Sequence, residues 1–257
     1  MPDTRAGARL SSDEVDEYFD IGWIVRRALF RAAEVAKMRA CFDELERAAH
    51  ALIKTDMHRG SYFVLGERLG QQVIERVVWA GAYQPYLLEI ANDARLTAPC
   101  AQLLSSETLD HLLSQAHFKR PHDGVRFNWH QDIEHRDKGD GTWTDANGRG
   151  SFVQTMTVLD EMTADSGPML FVPGSSKWGR VELGNDGDRL CREHVTITAQ
   201  PGDVLFFGPY TAHASFENES ERYRRVLING YACPGANRRH YPGVGVGRRV
   251  ISRQSPR

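Results

Sequence analysis

The strongest restriction on the fold comes from a succession of short β-rich segments that begins near residue 112. Glycine, proline and aspartate residues of the kind found in turns separate these segments from one another. Strands are predicted at 112–119, 124–133, 151–159, 168–172, 193–199, 203–207 and 222–232. Six or seven short strands at this spacing are typical of a β-sandwich or jelly roll.

The stretch before these strands has a mostly helical pattern. Ser11 followed by Glu14 has the form of a capping box, which predicts a short helix that extends to Tyr18. Gly22 predicts a break after this helix. A long helix is predicted next, because apolar residues recur at spacings of three and four along one stripe: Val35, Met38, Phe42, Leu45 and Ala49. Shorter segments are predicted as strands at 23–25 and 62–65 and as helices at 86–91 and 93–104.

Charge and cysteine content bound the function class. The charges nearly cancel, with 32 Lys and Arg against 34 Asp and Glu, so no global field favours nucleic acid or a membrane, and a small-molecule partner is expected. The four cysteines lack the paired spacing of zinc sites and disulfide frameworks, which predicts reduced thiols. The polar N-terminus lacks a signal-peptide pattern, and no run approaches the ~18 apolar residues of a membrane span. We therefore expect a soluble, cytoplasmic protein.

Polar and apolar side chains alternate in the predicted strand at 124–133. In a strand, the alternation places one set of polar residues on a single face: Arg126, Asn128, His130, Asp132 and Glu134. An exposed strand would show the same pattern, but Trp129 would then be an awkward residue to leave in water. His130 and Asp132 lie about 6.6 Å apart along such a strand, so an imidazole nitrogen and a carboxylate oxygen can converge on one ion. A site of this kind needs a third ligand.

His213 is the candidate for the third ligand. A turn at 201–203 leads into the apolar strand at 203–207, and a Gly-Pro corner then precedes the histidine. A surface histidine in a loop is the alternative, as for any of the ten histidines. Two histidines and one carboxylate form the facial arrangement that suits Fe(II) and leaves coordination positions open. Those positions could take a chelating 2-oxo acid and O2.

A 2-oxo diacid bound in this way would present its far carboxylate to the protein, and burial of that charge favours an arginine over a lysine. Arg224 follows His213 in the chain and shares its strand parity with Val226 and Ile228, which predicts an inward side chain. A solvated strand edge is the alternative. Ser215 is close enough in the chain to add a hydroxyl donor to the same carboxylate.

Through these residues the sequence resembles the phytanoyl-CoA dioxygenase family of Fe(II)/2-oxoglutarate-dependent oxygenases, and within that family the ectoine hydroxylase type. The resemblance covers nearly the whole chain and rests on a few motifs: Gly22-Trp23-Ile24-Val25, Trp129-His130-Gln131-Asp132, 166–175, and His213-Ala214-Ser215 with Asn218, Ser220 and Arg224. It implies a double-stranded β-helix, a cupin-like jelly roll, with flanking helices. We expect one domain in 1–257, with a mostly helical layer in 1–110, the β-helix core in 111–235 and a C-terminal tail in 236–257.

The resemblance also implies roles for individual residues. His130, Asp132 and His213 would be the iron ligands, and Arg224 with Ser215 would hold 2-oxoglutarate. Relatives carry an amide residue on the strand before the metal motif that contacts the co-substrate, and Gln115 is the best match, followed by His117. Related halogenases lack the carboxylate ligand, so Asp132 argues against halogenation.

The sequence thus predicts a dioxygenase that uses Fe(II), 2-oxoglutarate and O2 to hydroxylate a small polar or zwitterionic molecule, with succinate and CO2 as co-products. Arg126, Asn128 and Glu134 are the predicted substrate contacts. The Asp-, Gly- and Asn-rich segment 138–150 predicts a mobile loop with a conceivable lid role. Desaturation, cyclisation or epimerisation by the same cofactors, and a non-catalytic β-sandwich metal- or ligand-binding protein, remain as alternatives.

Overall fold

The computed structural model describes residues 9–68, 70–184, 187–239, 241 and 248–251. Most of the expected tail at 236–257, and the first eight residues of the N-terminal segment, lie outside these ranges. The helices are α1 (Ser12–Ile21), α2 (Ala32–His50), α3 (Ala80–Tyr83), α4 (Pro85–Ala91), α5 (Ala94–Leu104) and α6 (Gly187–Leu190). No helix in the described ranges has the length and apolarity needed to cross a membrane.

The strands are β1 (Trp23–Arg26), β2 (Asp56–His58), β3 (Ser61–Arg68), β4 (Gln71–Val78), β5 (Thr108–His117), β6 (Phe127–His130), β7 (Phe152–Val158), β8 (Met169–Phe171), β9 (Val195–Ile197), β10 (Val204–Phe207), β11 (His213–Ser215), β12 (Val226–Ala232) and β13 (Arg248–Ile251). They form two sheets. The larger sheet has the order β1-β10-β7-β12-β5-β4-β3-β2, with β13 also on β5, and the smaller sheet has the order β6-β11-β8-β9.

The two sheets pack face to face, and the helices cover the outer face of the larger sheet. On β10, Leu205 and Phe207 belong to the cluster between the sheets, whereas Val204 and Phe206 belong to the cluster beneath the helices. The larger sheet is therefore buried on both faces at β10, which explains why this strand is continuously apolar. This arrangement is the jelly roll that the strand spacing predicted.

Helix α1 starts at the predicted capping box and extends three residues beyond the predicted Tyr18, to Ile21. The Ser11 hydroxyl accepts a hydrogen bond from the Glu14 amide at 3.2 Å, and the Glu14 carboxylate accepts one from the Ser11 amide at 2.8 Å. Gly22 ends α1 with a φ of 104°. This left-handed backbone conformation is strained for residues with a Cβ atom, whereas glycine adopts it readily. The stripe of α2 is buried beneath the larger sheet.

The described residues before 110 form four strands as well as helices, so this region contains more β structure than the mostly helical layer that was expected. Strands β2, β3 and β4 form an antiparallel extension of the larger sheet, and β1 completes its other edge. The signal for the extension was weak because β4 carries Glu75 and Arg76 and has only a partly apolar pattern. The extension matters for function because it supplies one wall of the cavity described below.

The segment 138–150 is tied to the chain at 236–239. The Thr144 amide donates to the Ala236 carbonyl at 2.8 Å, and the Arg238 amide donates to the Thr142 carbonyl at 2.8 Å. The buried side chain of Trp143 packs edge-on against Phe152. A lid role for this segment stays a prediction.

Candidate active site

A cavity of about 550 Å³ lies between the two sheets. Its walls come from the larger sheet, including the β3–β4 hairpin, and from the inner face of the smaller sheet. The three candidate metal ligands and Arg224 all line it, as do Ser215, Gln115 and His117. The structure therefore brings these seven predicted residues to one cavity.

The pairing of β6 with β11 places His213 directly opposite His130. Asp132 reaches the same point from the 3-10 turn Asp132–His135, which follows β6. Its carboxylate oxygens lie 3.8 Å from His130 Nε2 and 3.6 Å from His213 Nε2, and one ligand atom from each residue lies within 4.8 Å of the others. Two imidazoles and one carboxylate grouped this closely would suit the facial arrangement associated with Fe(II).

Hydrogen bonds orient both imidazoles for metal binding. His130 Nδ1 lies 2.7 Å from the Asn128 carbonyl, and His213 Nδ1 lies 2.8 Å from the Thr211 carbonyl. Because a carbonyl only accepts, each Nδ1 carries the hydrogen and each Nε2 keeps a free lone pair toward Asp132. The donor set therefore fits a divalent cation such as iron.

Burial sets the protonation of this group. It lowers the pKa of His213 to about 4, so the imidazole is neutral at neutral pH, as a metal ligand must be. Burial by itself raises the pKa of Asp132, but electrostatic interactions with the neighbouring His213, His130 and Arg136 outweigh it and the net shift is downward. The carboxylate is accordingly ionised and ready to bind a cation.

Gln154 on β7 is a part of the site that sequence reasoning missed. Its amide nitrogen donates a hydrogen bond to the Asp132 carboxylate, and the residue is buried. The bond fixes the orientation of the carboxylate toward the imidazoles. The available signal was a glutamine in the middle of a strand that is otherwise apolar or threonine.

The predicted cation of the co-substrate site is buried as expected. Arg224 is 1% exposed, and its Nε donates to the Gly167 carbonyl at 3.0 Å while its Nη2 donates to the Ser215 hydroxyl. Burial lowers the pKa of Arg224 to about 10, so the guanidinium stays charged at neutral pH. No carboxylate of the described residues lies within salt-bridge distance of it. The arrangement presents a fixed buried cation to the cavity.

Gln115 and His117 lie on β5 beside this cation. The His117 Nε2 lies 2.8 Å from the Gln115 side-chain oxygen. Burial, reinforced by the charges of Arg76 and Arg224, lowers the pKa of His117 well below its usual value, so the ring is neutral. Both side chains line the cavity and can offer it neutral polar groups.

Lys119 is a second buried cation-forming residue that the sequence did not indicate. Its Nζ lies 2.8 Å from the Ser215 carbonyl and 2.6 Å from the Ser215 hydroxyl, and it also contacts the Phe216 carbonyl. Burial, together with the charge of Arg224, lowers its pKa to about 5. The lysine ties β5 to β11 and positions the hydroxyl that contacts Arg224.

The predicted substrate contacts are not at the cavity. The polar alternation predicts one strand over 124–133, but β6 ends at His130 and the chain then turns. Arg126 instead pairs with Glu217 at 3.2 Å and donates to Asn128 at 2.9 Å, both at the surface, and Glu134 accepts a hydrogen bond from the Gln131 amide. None of Arg126, Asn128 and Glu134 is among the described residues that line the cavity.

The carbonyl of Gly167 accepts a hydrogen bond from Arg224, and the tight packing around this glycine leads to a testable prediction. Its φ is +69°, and an added Cβ would lie 2.6 Å from the Phe216 carbonyl and 3.0 Å from the Lys119 side chain. Gly139 has the same φ with nothing within 4 Å of that position, so Gly139→Ala carries the backbone penalty alone. We expect Gly167→Ala to lower the free energy of unfolding by about 1 to 3 kcal/mol more than Gly139→Ala in urea titrations. Equal losses would contradict the tight packing.

Comparison with known proteins places this site in a family. The sequence profile of the phytanoyl-CoA dioxygenase (PhyH) family matches residues 19–226. An ectoine dioxygenase of Bordetella bronchiseptica is 26% identical over 240 residues, which covers 82% of this chain and 71% of that protein. An L-proline trans-4-hydroxylase of Streptomyces griseoviridis is 26% identical over 146 residues, which covers 46% of this chain and 52% of that protein.

Among solved structures, EctD from S. alaskensis with bound Fe is similar, with a TM-score of 0.72 and 24% identity over 92% of this chain and 80% of that chain. Likeness at this identity shows the shared fold, a cupin-like jelly roll. The profile match extends over most of the chain and includes both strands that carry the histidines. The chain belongs to the phytanoyl-CoA dioxygenase family.

Proposed function

We propose that the chain is an Fe(II)- and 2-oxoglutarate-dependent dioxygenase that hydroxylates a C–H bond of a small polar or zwitterionic molecule. The observation that carries the proposal is one cavity in which two imidazole lone pairs and a carboxylate converge near a buried guanidinium. The relatives named for ectoine and L-proline act on small molecules of this size class. When bound, Fe(II) and 2-oxoglutarate supply the O2-dependent oxidation, and the co-substrate leaves as succinate and CO2.

Each protein group has a task in this proposal. His130, Asp132 and His213 hold the iron on one side, and Gln154 keeps the carboxylate oriented. Arg224, assisted by Ser215, pairs with the far carboxylate of 2-oxoglutarate, and its Nη1, which donates to none of the described residues, can donate to that group. Gln115 and His117 line the cavity where they can contact the co-substrate.

The cavity walls position the substrate and exclude water. Phe207 and Phe171 flank the His213 ring at centroid distances of 5.2 and 5.7 Å, and Met156 and Ile228 also face the inter-sheet space. Apolar walls of this kind keep a reactive centre dry and restrict which C–H bond approaches it. Because Asp132 occupies the carboxylate position, the proposal is hydroxylation and not halogenation.

We also propose that the described residues act as one domain in a reducing, cytoplasmic environment. Strand β1 and the β3–β4 hairpin from the first third of the chain belong to the same sheet as β7, β10 and β12. The four cysteines are free and buried, as expected for thiols that are never oxidised to disulfides.

The direct test is succinate formation by the iron-loaded protein with 2-oxoglutarate, O2 and a panel of small amino acids, cyclic imino acids and natural-product intermediates. We expect substrate-stimulated succinate that disappears when Fe(II) or O2 is omitted. Mass spectrometry of the product separates the outcomes, because hydroxylation adds one oxygen atom, desaturation or ring closure removes two hydrogen atoms, and epimerisation leaves the mass unchanged. No succinate under any condition would favour a non-catalytic binding protein.

A further inference from the structure

Arg136 lines the same cavity on the side of the metal ligands. It ends the 3-10 turn that begins with Asp132, and its amide donates to the Ile133 carbonyl at 3.0 Å, so the turn fixes where the side chain starts. The residue is 8% exposed. Its guanidinium carbon lies 4.9 Å from the centroid of the Tyr241 ring and 5.9 Å from that of Phe152.

The Arg136 side chain makes no salt bridge and no hydrogen bond to another described residue. Its buried Nε has no acceptor in the described part of the chain, and no described carboxylate lies within salt-bridge distance of the guanidinium. The adjacent Tyr241 hydroxyl is buried and likewise has no hydrogen-bond partner among the described residues. Burial of an unpaired charge and an unpaired hydroxyl is costly, and proteins rarely accept both at one place unless a ligand completes them.

The proposed co-substrate complex would not neutralise the charge of Arg136. Among the described residues that line the cavity, Asp132 is the one carboxylate. Iron(II), Asp132, the two carboxylates of 2-oxoglutarate and Arg224 together carry no net charge. Two lining guanidiniums, those of Arg76 and Arg136, then remain without counter-charge. Arg76 is only partly buried, so water can screen it, whereas Arg136 is not screened in this way.

We propose that Arg136 is the anchor for an anionic group of the substrate, with the Tyr241 hydroxyl as a second donor to the same group. The inference rests on the proposed function and narrows it to substrates that carry a carboxylate or a similar oxyanion such as a phosphonate. A guanidinium over two aromatic faces is held in orientation and can donate two parallel hydrogen bonds to such a group. Since one short turn separates Arg136 from Asp132, the anion is held on the metal side of the cavity.

The test uses matched compounds in the succinate assay. The panel pairs each small amino acid or cyclic imino acid with its primary carboxamide and, where one exists, its phosphonate. We expect acids to stimulate succinate formation and amides not to do so, and phosphonates show whether the site takes any oxyanion. Arg136→Gln is expected to raise the KM for the stimulating acid about tenfold to a hundredfold, with a smaller change in kcat. Arg136→Lys should recover part of the loss.

Controls separate this inference from the proposed function. Arg126→Gln removes a surface guanidinium near the same strand and is expected to leave the KM unchanged. Slow succinate formation without substrate reports iron and co-substrate binding, and Arg136→Gln should leave it intact. Wild-type protein that shows this background but responds to no acid, or equally to acids and amides, overturns the inference alone. Absence of the background in wild-type protein would instead count against the proposed function and the inference together.

A stability measurement gives a readout that does not depend on the panel. Because Arg136 is a buried charge with no salt bridge or hydrogen bond to a described residue, Arg136→Met is expected to leave the substrate-free protein as stable as the wild type or more stable in urea titrations. A purely structural arginine would show the reverse, since its loss would remove favourable contacts. A clear fall in stability would therefore contradict the proposed anchor.

Discussion

Asp132→Ala is expected to abolish iron retention and to reduce substrate-stimulated succinate formation by at least about a thousandfold. The carboxylate is the negatively charged member of the cluster, and the two imidazole ligands that would remain bring no negative charge. Two neutral ligands on one side of an open site hold a divalent ion poorly. The measurement is the iron content of the protein after desalting, together with the succinate assay.

The fold should survive this change, because Asp132 lies at the cavity surface and contributes no packing to the hydrophobic clusters. Circular dichroism and urea titration would check this expectation. Asp137→Ala is the matched control, since Asp137 lies five residues later in the chain and its carboxylate is 3.8 Å from Arg180 at the surface. The control should retain iron and turnover, and iron retention by Asp132→Ala would contradict the assignment of the metal ligands.

The strands of the core could be predicted because burial on both faces leaves a strong trace in the sequence. Strands β7, β10 and β12 are almost entirely buried, so their apolar runs stand out between polar turns. The hairpin β3–β4 has exposed ends with charged residues, and its full extent was not predictable from pattern. Long helix α2 was predictable for the opposite reason, because only one of its faces is buried and the stripe has a helical period.

The residue types of the site were predictable, but its geometry was not. His130 faces the cavity as the alternation predicted, whereas Asp132 reaches the site from a 3-10 turn and Glu134 turns away from it. Alternation holds only within a strand, and nothing in the residues marks β6 as ending at His130. The register between β6 and β11, which brings His213 opposite His130, is set by tertiary packing between two strands that are separated in the chain by β7 to β10.

Several site residues had no sequence signal because each is a single polar residue whose partner lies far away in the chain. Lys119 contacts Ser215, and Gln154 contacts Asp132, yet no local spacing connects the members of either pair. Arg136 belongs to the same class, since its burial and the absence of a hydrogen bond from its Nε to any described residue are properties of the folded chain. The pairing of buried polar groups depends on tertiary structure, so these residues cannot be recognised from sequence pattern alone.

Replacement of Arg224 is expected to have the second large effect, because Arg224 is the proposed partner of the far carboxylate of 2-oxoglutarate. Arg224→Met is expected to raise the KM for 2-oxoglutarate by at least about a hundredfold, and Arg224→Lys by a smaller factor because a lysine lacks the planar fork. Arg222→Gln is the control, since Arg222 is more than half exposed and bonds Thr163 outside the cavity. Its KM for 2-oxoglutarate should match that of the wild type.

Stability in the presence of the co-substrate distinguishes binding from folding. Without a ligand, Arg224 is a buried charge with hydrogen bonds but no described carboxylate partner, so Arg224→Met should cost the free protein little. Wild-type protein should gain about 2.7 kcal/mol in its free energy of unfolding at a 2-oxoglutarate concentration one hundred times the dissociation constant. The methionine variant should gain almost nothing at the same concentration. An equal gain in both proteins would show that the diacid binds elsewhere and would remove Arg224 from the proposed site.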